Sequence, residues 1–562
     1  MTGKRYYIGL GVSGHDPAFS IVNESGEVLF AEATERFLQD KRALGILPDH
    51  MAHLAGPLAD CCADATHFTV ATSWLNPKPG DDAAAPSDHP PLEPFDPVTT
   101  RWLRHQQRNA LLSVGVNLSM LTGIDAIESH GFDHHLCHAA FASASAPFSD
   151  GHCLVLDGEG EVGSMSAFVL ENNRLRRHKR SWGPGSLGSY YAWLTLQCGF
   201  HWLKGEEWKV MGLAAFGTPQ EDVVNELQRL LSIEGGKIHT AAPNVWRQVS
   251  SFLKPFRPAP GQPIESAADL AASGQEAFAR WTCQLIAHLG YGPGSNLILT
   301  GGCALNSSLN GCLKQEFDFD RLHIPCAPAD DGNAVGAALL AWRADHPAAP
   351  DPKPISSPYL GSRCDPLHID KLNQWSGLSR SDLRAAGHGP VVDLLAQGKV
   401  IGVMRGRAEF GPRSLGNRSI LASPQSPGMK DRINQRIKGR EAYRPFAPVL
   451  RQEDVANWFE NPQESPYMSF ALRWRADRVD QVPAVVHENQ TGRLQTVTPE
   501  SNAWLHGLIS AFGEATGVAV LLNTSFNIMG KPIVHSVEDA LGVLFTTGLD
   551  AIVLEDHLIM KS

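Results

Sequence analysis

A chain of 562 residues is too long for a single hydrophobic core, so two large domains are expected. Its 48 basic and 59 acidic residues leave a formal charge of −11, which excludes a general nucleic-acid or membrane-surface binder, because phosphate-rich partners reward positive surfaces. With 43% hydrophobic and 19% charged residues the composition is ordinary for a soluble protein, and ten scattered cysteines with no Cys-x-x-Cys exclude a disulfide framework and a zinc ribbon.

The first apolar run is broken at Gly9, Gly11 and Gly14 and ends at Asp16, unlike a signal peptide, and nothing approaches the roughly 18 apolar residues of a membrane span. The expected compartment is the cytoplasm. Tyr6 to Val12 and Ala18 to Val22 read as strands joined by Ser13-Gly14-His15-Asp16-Pro17, and Val28 to Glu32 closes a meander through Asn23 to Gly26. Gly14 permits close approach of a ligand, which His15 and Asp16 would face. Residues 76–97 are rich in Pro, Asp and Ala and read as a surface loop or lid; 101–121 is a helix candidate.

A helix over Leu136 to Ala146 sets His134 and His138 four residues apart on one face, which is metal-ligand spacing. Asp157 follows the apolar run from Leu154 and precedes Gly158, so it belongs at the carboxyl end of a buried strand, where α/β sheets place ligands. From Ser181 to Ala214 aromatic residues alternate with glycine and end in Glu206-Glu207-Trp208-Lys209, either an aromatic core cluster or the wall of a small-molecule pocket. A long helix starts at Ser266 with Asp269 as its capping partner. Then strand, glycine loop and helix follow one another twice, at Asn296 to Asn306 and at Leu322 to Trp342, an arrangement that favours a bound phosphate or nucleotide.

Five prolines between His346 and Pro358 mark a linker, which gives domains at 1–350 and 359–562. From Arg405 to Arg444 ten basic residues face three acidic ones, a local reversal inside an acidic chain. Arginines on turns beside apolar strands suit bidentate capture of phosphate or carboxylate. Asn523-Thr524-Ser525, at the end of a strand from Val518, could complete that site. Ser536 to Asp539 caps a helix, and Ala551 to Leu554 is the last strand.

Seven motifs in order then carry a resemblance. They are Gly14-His15-Asp16-Pro17-Ala18, His134-His135-Leu136-Cys137-His138, Lys209-Val210-Met211-Gly212-Leu213-Ala214, Gly301-Gly302-Cys303-Ala304-Leu305-Asn306, Glu409 through Arg418, Arg444-Pro445-Phe446-Ala447-Pro448, and Asn523 through Asn527. Together they resemble the NodU/CmcH family of O-carbamoyltransferases, which includes the tobramycin-type antibiotic enzymes.

The resemblance implies an α/β protein with an N-terminal actin-like ATPase (ASKHA) domain and a C-terminal YrdC-like α/β domain. It implies that carbamoyl phosphate and ATP, with Mg²⁺, give carbamoyl adenylate and pyrophosphate in the second domain. The carbamoyl group then passes in the first domain to a hydroxyl of a small-molecule natural product, with one divalent metal, Fe²⁺, taking part. The implied metal ligands are His134, His138, Asp157 and Asp330, with His15 as base or positioning group. Gly14, Asp16, Gly158, Gly160, Lys209, Gly301, Gly302 and Asn306 would hold the nucleotide. Lys438, Arg413 and Arg418 would act on carbamoyl phosphate, with Arg405, Arg440, Arg444, Asn523, Thr524 and Ser525 binding it. A homodimer without nucleic-acid or membrane partners is the expected assembly. An actin-like small-molecule kinase is the competing reading and predicts ADP; a non-catalytic metal- and nucleotide-binding regulator predicts no pyrophosphate.

Overall fold

The computed structural model describes residues 4–75, 115–125, 127–161, 163–182, 185–372, 377–441 and 443–561. The 76–97 loop and most of the 101–121 helix candidate lie outside the described residues; within them the helix Val116–Thr122 is present. Two units emerge, one of residues 1–35, 42–306 and 312–355, the other of 36–41, 307–311 and 356–562. The two short inserts into the second unit have no counterpart in the sequence reading. Among the described residues no helix is long and apolar enough to cross a membrane.

The first unit is built from one topology used twice. β1 (Lys4–Gly11), β2 (Ala18–Val22) and β3 (Val28–Ala33) form the expected antiparallel meander, and β4 (Ala65–Thr72) and β5 (Ile127–Gly131) extend it in parallel from β1, giving the order β3-β2-β1-β4-β5. β6 (Gly151–Leu156), β7 (Met165–Glu171) and β8 (Arg174–Ser181) form a second meander. After the hairpin of β9 (Leu231–Glu234) and β10 (Lys237–Thr240), β11 (Asn296–Thr300) and β12 (Arg321–His323) extend that meander in parallel from β6. Read from its β8 edge, the second sheet repeats the first strand for strand. This duplicated sheet, with helices packed on it, is the actin-like core.

Buried alternation explains the first sheet: Tyr6, Ile8, Leu10, Phe19, Ile21, Phe30, Phe68 and Val70 form one apolar cluster. Ala139, Ala142, Cys153, Val155, Phe168 and Ile298 form another, between the His134–Ala144 helix and the second sheet. Two glycines set how closely the helices approach. A Cβ on Gly9 would lie 1.8 Å from the Ala334 carbonyl oxygen, and one on Gly336 would lie 1.9 Å from that of Cys137. Only a glycine therefore lets the Asn333–Asp345 helix rest on β1 and on the His134–Ala144 helix at once. Gly336→Val is expected to lower the melting temperature or abolish soluble expression, since the clash is with backbone. A thermal melt matching the parent protein would contradict this packing.

The second unit surrounds a nine-stranded mixed sheet in the order β13-β21-β20-β14-β15-β19-β16-β18-β17. Its strands are β13 (Leu378–Asp382), β14 (Ile401–Met404), β15 (Arg418–Ala422), β16 (Ala447–Arg451), β17 (Phe470–Arg473), β18 (Thr491–Val497), β19 (Val520–Ser525), β20 (Ala551–Leu554) and β21 (His557–Lys561). Leu505, Leu508, Ile509 and Phe512 of the Pro499–Thr516 helix pack on Val403, Leu421, Val449, Leu521 and Val553 of that sheet. Thr498 and Ser501 form a capping box at that helix, and Ser536 and Asp539 form the expected one at Val537–Thr546. Asp269 does not cap: the helix runs Ala268–His288 without a side-chain cap, and the Asp269 carboxylate accepts from the Thr218 amide at 2.9 Å.

Candidate active site

The four residues implied as metal ligands converge in the first unit. One ligand atom from each of His134, His138, Asp157 and Asp330 lies within 4.8 Å of the other three, and all four residues are buried. His134 Nε2 is 3.1 Å from Asp157 Oδ2 and 3.5 Å from Asp330 Oδ1; His138 Nε2 is 3.5 Å from each of the same oxygens. Local structure makes this possible. The helix begins at His134 with Asp133 as its N-cap, two residues earlier than the sequence pattern suggests, and Asp133 accepts from the Leu136 amide at 2.9 Å. Asp157 follows β6 directly, and because β11 runs parallel beside β6, the Gly302 amide donates to Asp157 Oδ1 at 3.1 Å. Gly301 turns at φ +88°, where a Cβ would meet the Leu156 carbonyl oxygen at 2.2 Å.

The donor set fits a metal. His134 Nδ1 lies 3.3 Å from the Ser73 carbonyl oxygen, which fixes the proton on Nδ1 and turns the Nε2 lone pair inward. His138 Nε2 is buried with no hydrogen-bond partner among the described residues. Burial alone would depress both imidazoles, but Asp330 and Asp157 outweigh it and raise His134 well above, and His138 above, the usual histidine range. Lone pairs facing carboxylates require positive charge among them, and one divalent transition-metal ion satisfies two nitrogens and two oxygens together. His135, between the two ligands in sequence, points elsewhere: its Nδ1 is 2.9 Å from Ser166 Oγ, and burial holds the ring down at about 3.

Asp133 also accepts from Arg177 and Arg180 of β8, which hold its carboxyl below the usual range against the opposing effect of burial. Asp133→Ala is expected to cost about 1 kcal/mol through the lost cap and to weaken metal binding, because the first turn carries both imidazoles. Metal titration and thermal melts of the variant check this; unchanged metal affinity would show that the cap does not position the ligands.

His15 stands at the edge of the cluster, its Nδ1 3.8 Å from Asp330 Oδ2 and 2.9 Å from Asp16 Oδ2. Arg42 clamps the same Asp16 oxygen through Nε at 3.1 Å and Nη2 at 2.9 Å. Burial would raise the Asp16 carboxyl, but Arg42 and His15 outweigh it and hold it at about 2. An ionised Asp16 keeps the proton on His15 Nδ1 and leaves Nε2 free as a base. Gly14 turns at φ +82° before this triad. Among the other residues assigned to nucleotide, Gly158 lies against the Ser186–Gly188 turn and Gly160 against His135. Asn306 is paired with Gln275 in both directions at 2.9 and 3.1 Å, and Lys209 with Glu206 at 2.8 Å.

A second cluster, cationic, lies in the second unit. Lys438 is buried and donates to Ser525 Oγ at 3.1 Å and to the Ser525 and Asn527 carbonyls. Arg440 stacks on Phe446 at 4.5 Å and donates to Asn434 Oδ1 at 2.7 Å. Burial, then the neighbouring Arg444, push Arg440 well below the usual guanidinium range. Burial pulls Arg413 to about 10. Its loop is shaped by Glu409, whose Oε1 accepts from the amides of Leu415, Asn417 and Arg418 at 2.7, 2.8 and 3.1 Å.

The sequence reading missed one member of this cluster. Arg493 on β18 is driven well below its ordinary range by burial, then by Arg413, Arg440 and Arg444. Neither Arg413 nor Arg493 has an ion-pair partner among the described residues. Gln495, on the same face of β18, accepts from Asn523 Nδ2 at 2.6 Å, so Asn523 belongs to this wall. Crowded guanidiniums short of carboxylates are arranged to receive a polyanion.

Three residues assigned to the anion site have other surroundings. Arg418 is fully buried, and its guanidinium donates to the carbonyls of Arg405, Asn417, Ser362 and Gly406 at 2.8 to 3.1 Å, which leaves it bracing the chain. Arg405 is taken up by the Glu555 carbonyl and Asp556 and lies over Trp504 at 4.9 Å. Strand alternation puts Thr524 on the face of β19 opposite Asn523 and Ser525.

Comparison with known proteins adds the following. The family description Carbamoyltransferase N-terminus matches residues 99–339, and Carbamoyltransferase C-terminus matches residues 392–561. Nodulation protein NolO of Bradyrhizobium diazoefficiens is 36% identical over 446 residues, covering 76% of this chain and 79% of that protein. The 3'-hydroxymethylcephem-O-carbamoyltransferases of Amycolatopsis lactamdurans and Streptomyces clavuligerus are 31% and 32% identical, covering 75% and 72% of this chain and 79% and 75% of their own.

Proposed function

This chain belongs to the carbamoyltransferase family, and from that premise we propose that it makes carbamoyl adenylate from carbamoyl phosphate and ATP and passes the carbamoyl group to an alcohol. The observation that carries this reading is the pairing of two chemically different sites in one chain. The cluster of Lys438, Arg413, Arg440, Arg444 and Arg493 offers the positive charge that two polyanionic substrates need in an acidic protein, with Asn523 and Ser525 as polar neighbours. The products of that step are phosphate, pyrophosphate and carbamoyl adenylate.

In the first unit, the glycine turns at Gly14, Gly158 to Gly160 and Gly301-Gly302 would hold the adenylate. His15, with Nδ1 tied to Asp16, takes the proton of the attacking hydroxyl at Nε2, and AMP leaves. His134, His138, Asp157 and Asp330 would hold a divalent metal, which we take to be ferrous iron, and it would supply Lewis-acid polarisation of the carbamoyl carbonyl. The acceptor is a hydroxyl-bearing natural product of the antibiotic type. Among the described residues no disulfide joins the cysteines, which fits a cytoplasmic enzyme.

Incubation with ATP, Mg²⁺ and carbamoyl phosphate tests the reading. AMP and pyrophosphate are expected in equal amounts once an alcohol acceptor is supplied. ADP as the nucleotide product would replace this reading with a kinase, and no turnover with any alcohol would leave a binding protein.

A further inference from the structure

We propose that His487 is the general base for the water that cleaves carbamoyl phosphate in the cationic site. The inference rests on the function proposed above and concerns its first step. The α-phosphorus of ATP must be attacked by a carbamate oxygen if the products are carbamoyl adenylate and pyrophosphate, and carbamoyl phosphate has no free carboxylate to do this. Water must therefore enter first. Its oxygen attacks the carbonyl carbon, one of its protons passes to His487 Nε2, and the carbon–oxygen bond to phosphate breaks with its electron pair going to the phosphate oxygen. The imidazolium returns its proton to the leaving phosphate, the carbamic acid so formed loses its remaining proton to solvent, and the resulting carbamate attacks ATP.

The geometry places such a base there. His487 precedes β18 and closes onto it, its amide donating to the Thr491 carbonyl at 2.8 Å. Thr491 and Arg493 alternate along β18 and share a face, so the imidazole that touches Thr491 lies on the side of the strand that carries Arg493. A hydrogen-bond chain sets the tautomer. Thr491 Oγ1 donates to Asn489 Oδ1 at 2.8 Å, so it accepts from His487 Nδ1–H at 3.1 Å. The Nε2 lone pair is then unprotonated, and Nε2 is buried with no hydrogen-bond partner among the described residues.

Burial, then Arg493 and Lys430, hold the ring down at about 3, with the Phe446 backbone a smaller opposing influence. The ring therefore stays neutral until a phosphate dianion arrives to offset those cations. The same cations make the imidazolium short-lived, which favours return of the proton to the leaving group.

His487→Asn tests this, because asparagine can keep a donor toward Thr491 while removing Nε2. With carbamoyl phosphate and ATP, phosphate release is expected to fall by about 100-fold or more. With ammonium bicarbonate, which supplies carbamate directly, pyrophosphate release from ATP is expected to match the parent enzyme. Thr491→Val, which unlocks the tautomer, should give an intermediate loss of about tenfold in phosphate release with the bicarbonate reaction intact. Phosphate release by His487→Asn within about threefold of the parent, or equal loss of both reactions in both variants, overturns the proposal. A parent enzyme that releases neither phosphate nor pyrophosphate overturns the underlying function and this step with it.

Discussion

Replacing His134 with alanine is expected to strip the bound metal and stop carbamoyl transfer, while pyrophosphate release from ATP and carbamoyl phosphate continues. The two outcomes separate because the imidazole belongs to the four-residue cluster of the first unit and to nothing in the cationic site. Losing one of four ligands removes a donor and leaves Asp157 and Asp330 as two buried carboxylates with less positive charge between them. Metal affinity should fall by at least about 100-fold, since even outer-shell partners of metal ligands are worth 10- to 100-fold.

Adjacent His135 is the control. Its Nδ1 is committed to Ser166, so His135→Gln should retain metal near the parent level. Metal analysis of both purified variants decides the matter: if His134→Ala carries as much metal as His135→Gln, the ligand assignment is wrong. Metal uptake should also depend on pH. Asp330 and Asp157 raise the pKa of His134 and His138, so in the metal-free protein these rings hold their protons to higher pH than an ordinary histidine. Metal must displace those protons, so affinity should weaken as pH falls through the raised values, and calorimetry in buffers of different ionisation enthalpy should show protons released on binding.

Some of this architecture could be read along the chain because it depends on short-range pattern. The β1 to β3 meander is written in alternating buried residues with turn residues between them, and His134, His138 and Asp157 are separated by one helix and one strand. The duplication of the sheet could not be read that way. β8 is Arg174-Leu-Arg-Arg-His-Lys-Arg-Ser181, whose charges conceal its place in a sheet, and it pairs antiparallel with β7 in a register that shifts once, between Ala167 and Phe168.

The cationic site shows the other limit. Counting charge from 405 to 444 treats all arginines alike, yet Arg418 spends its guanidinium on carbonyl oxygens while Arg493, isolated in sequence, joins Arg413, Arg440 and Arg444 through the sheet. Whether an arginine braces a fold or receives an anion depends on which acceptors surround it, and these come from distant residues.

That distinction leads to opposite effects for two arginine variants. Arg493→Ala is expected to lower pyrophosphate release by about 10- to 100-fold, the worth of one charge-assisted contact of about 1.5–3 kcal/mol to a bound anion. Arg493→Lys should recover little, because an ammonium cannot reproduce the guanidinium fork. Stability should move the other way. Burial and three like-charged neighbours hold the Arg493 pKa well below its unfolded value, so at neutral pH its charge opposes folding, and its removal should leave the melting temperature unchanged or raised.

Arg418→Ala should lower the melting temperature, since four backbone carbonyls lose their donor at once. Measured together, melting curves and initial rates of pyrophosphate release tell the two roles apart. An Arg493→Ala variant that melts lower than Arg418→Ala and still turns over at the parent rate would reverse the assignment and take Arg493 out of the anion site.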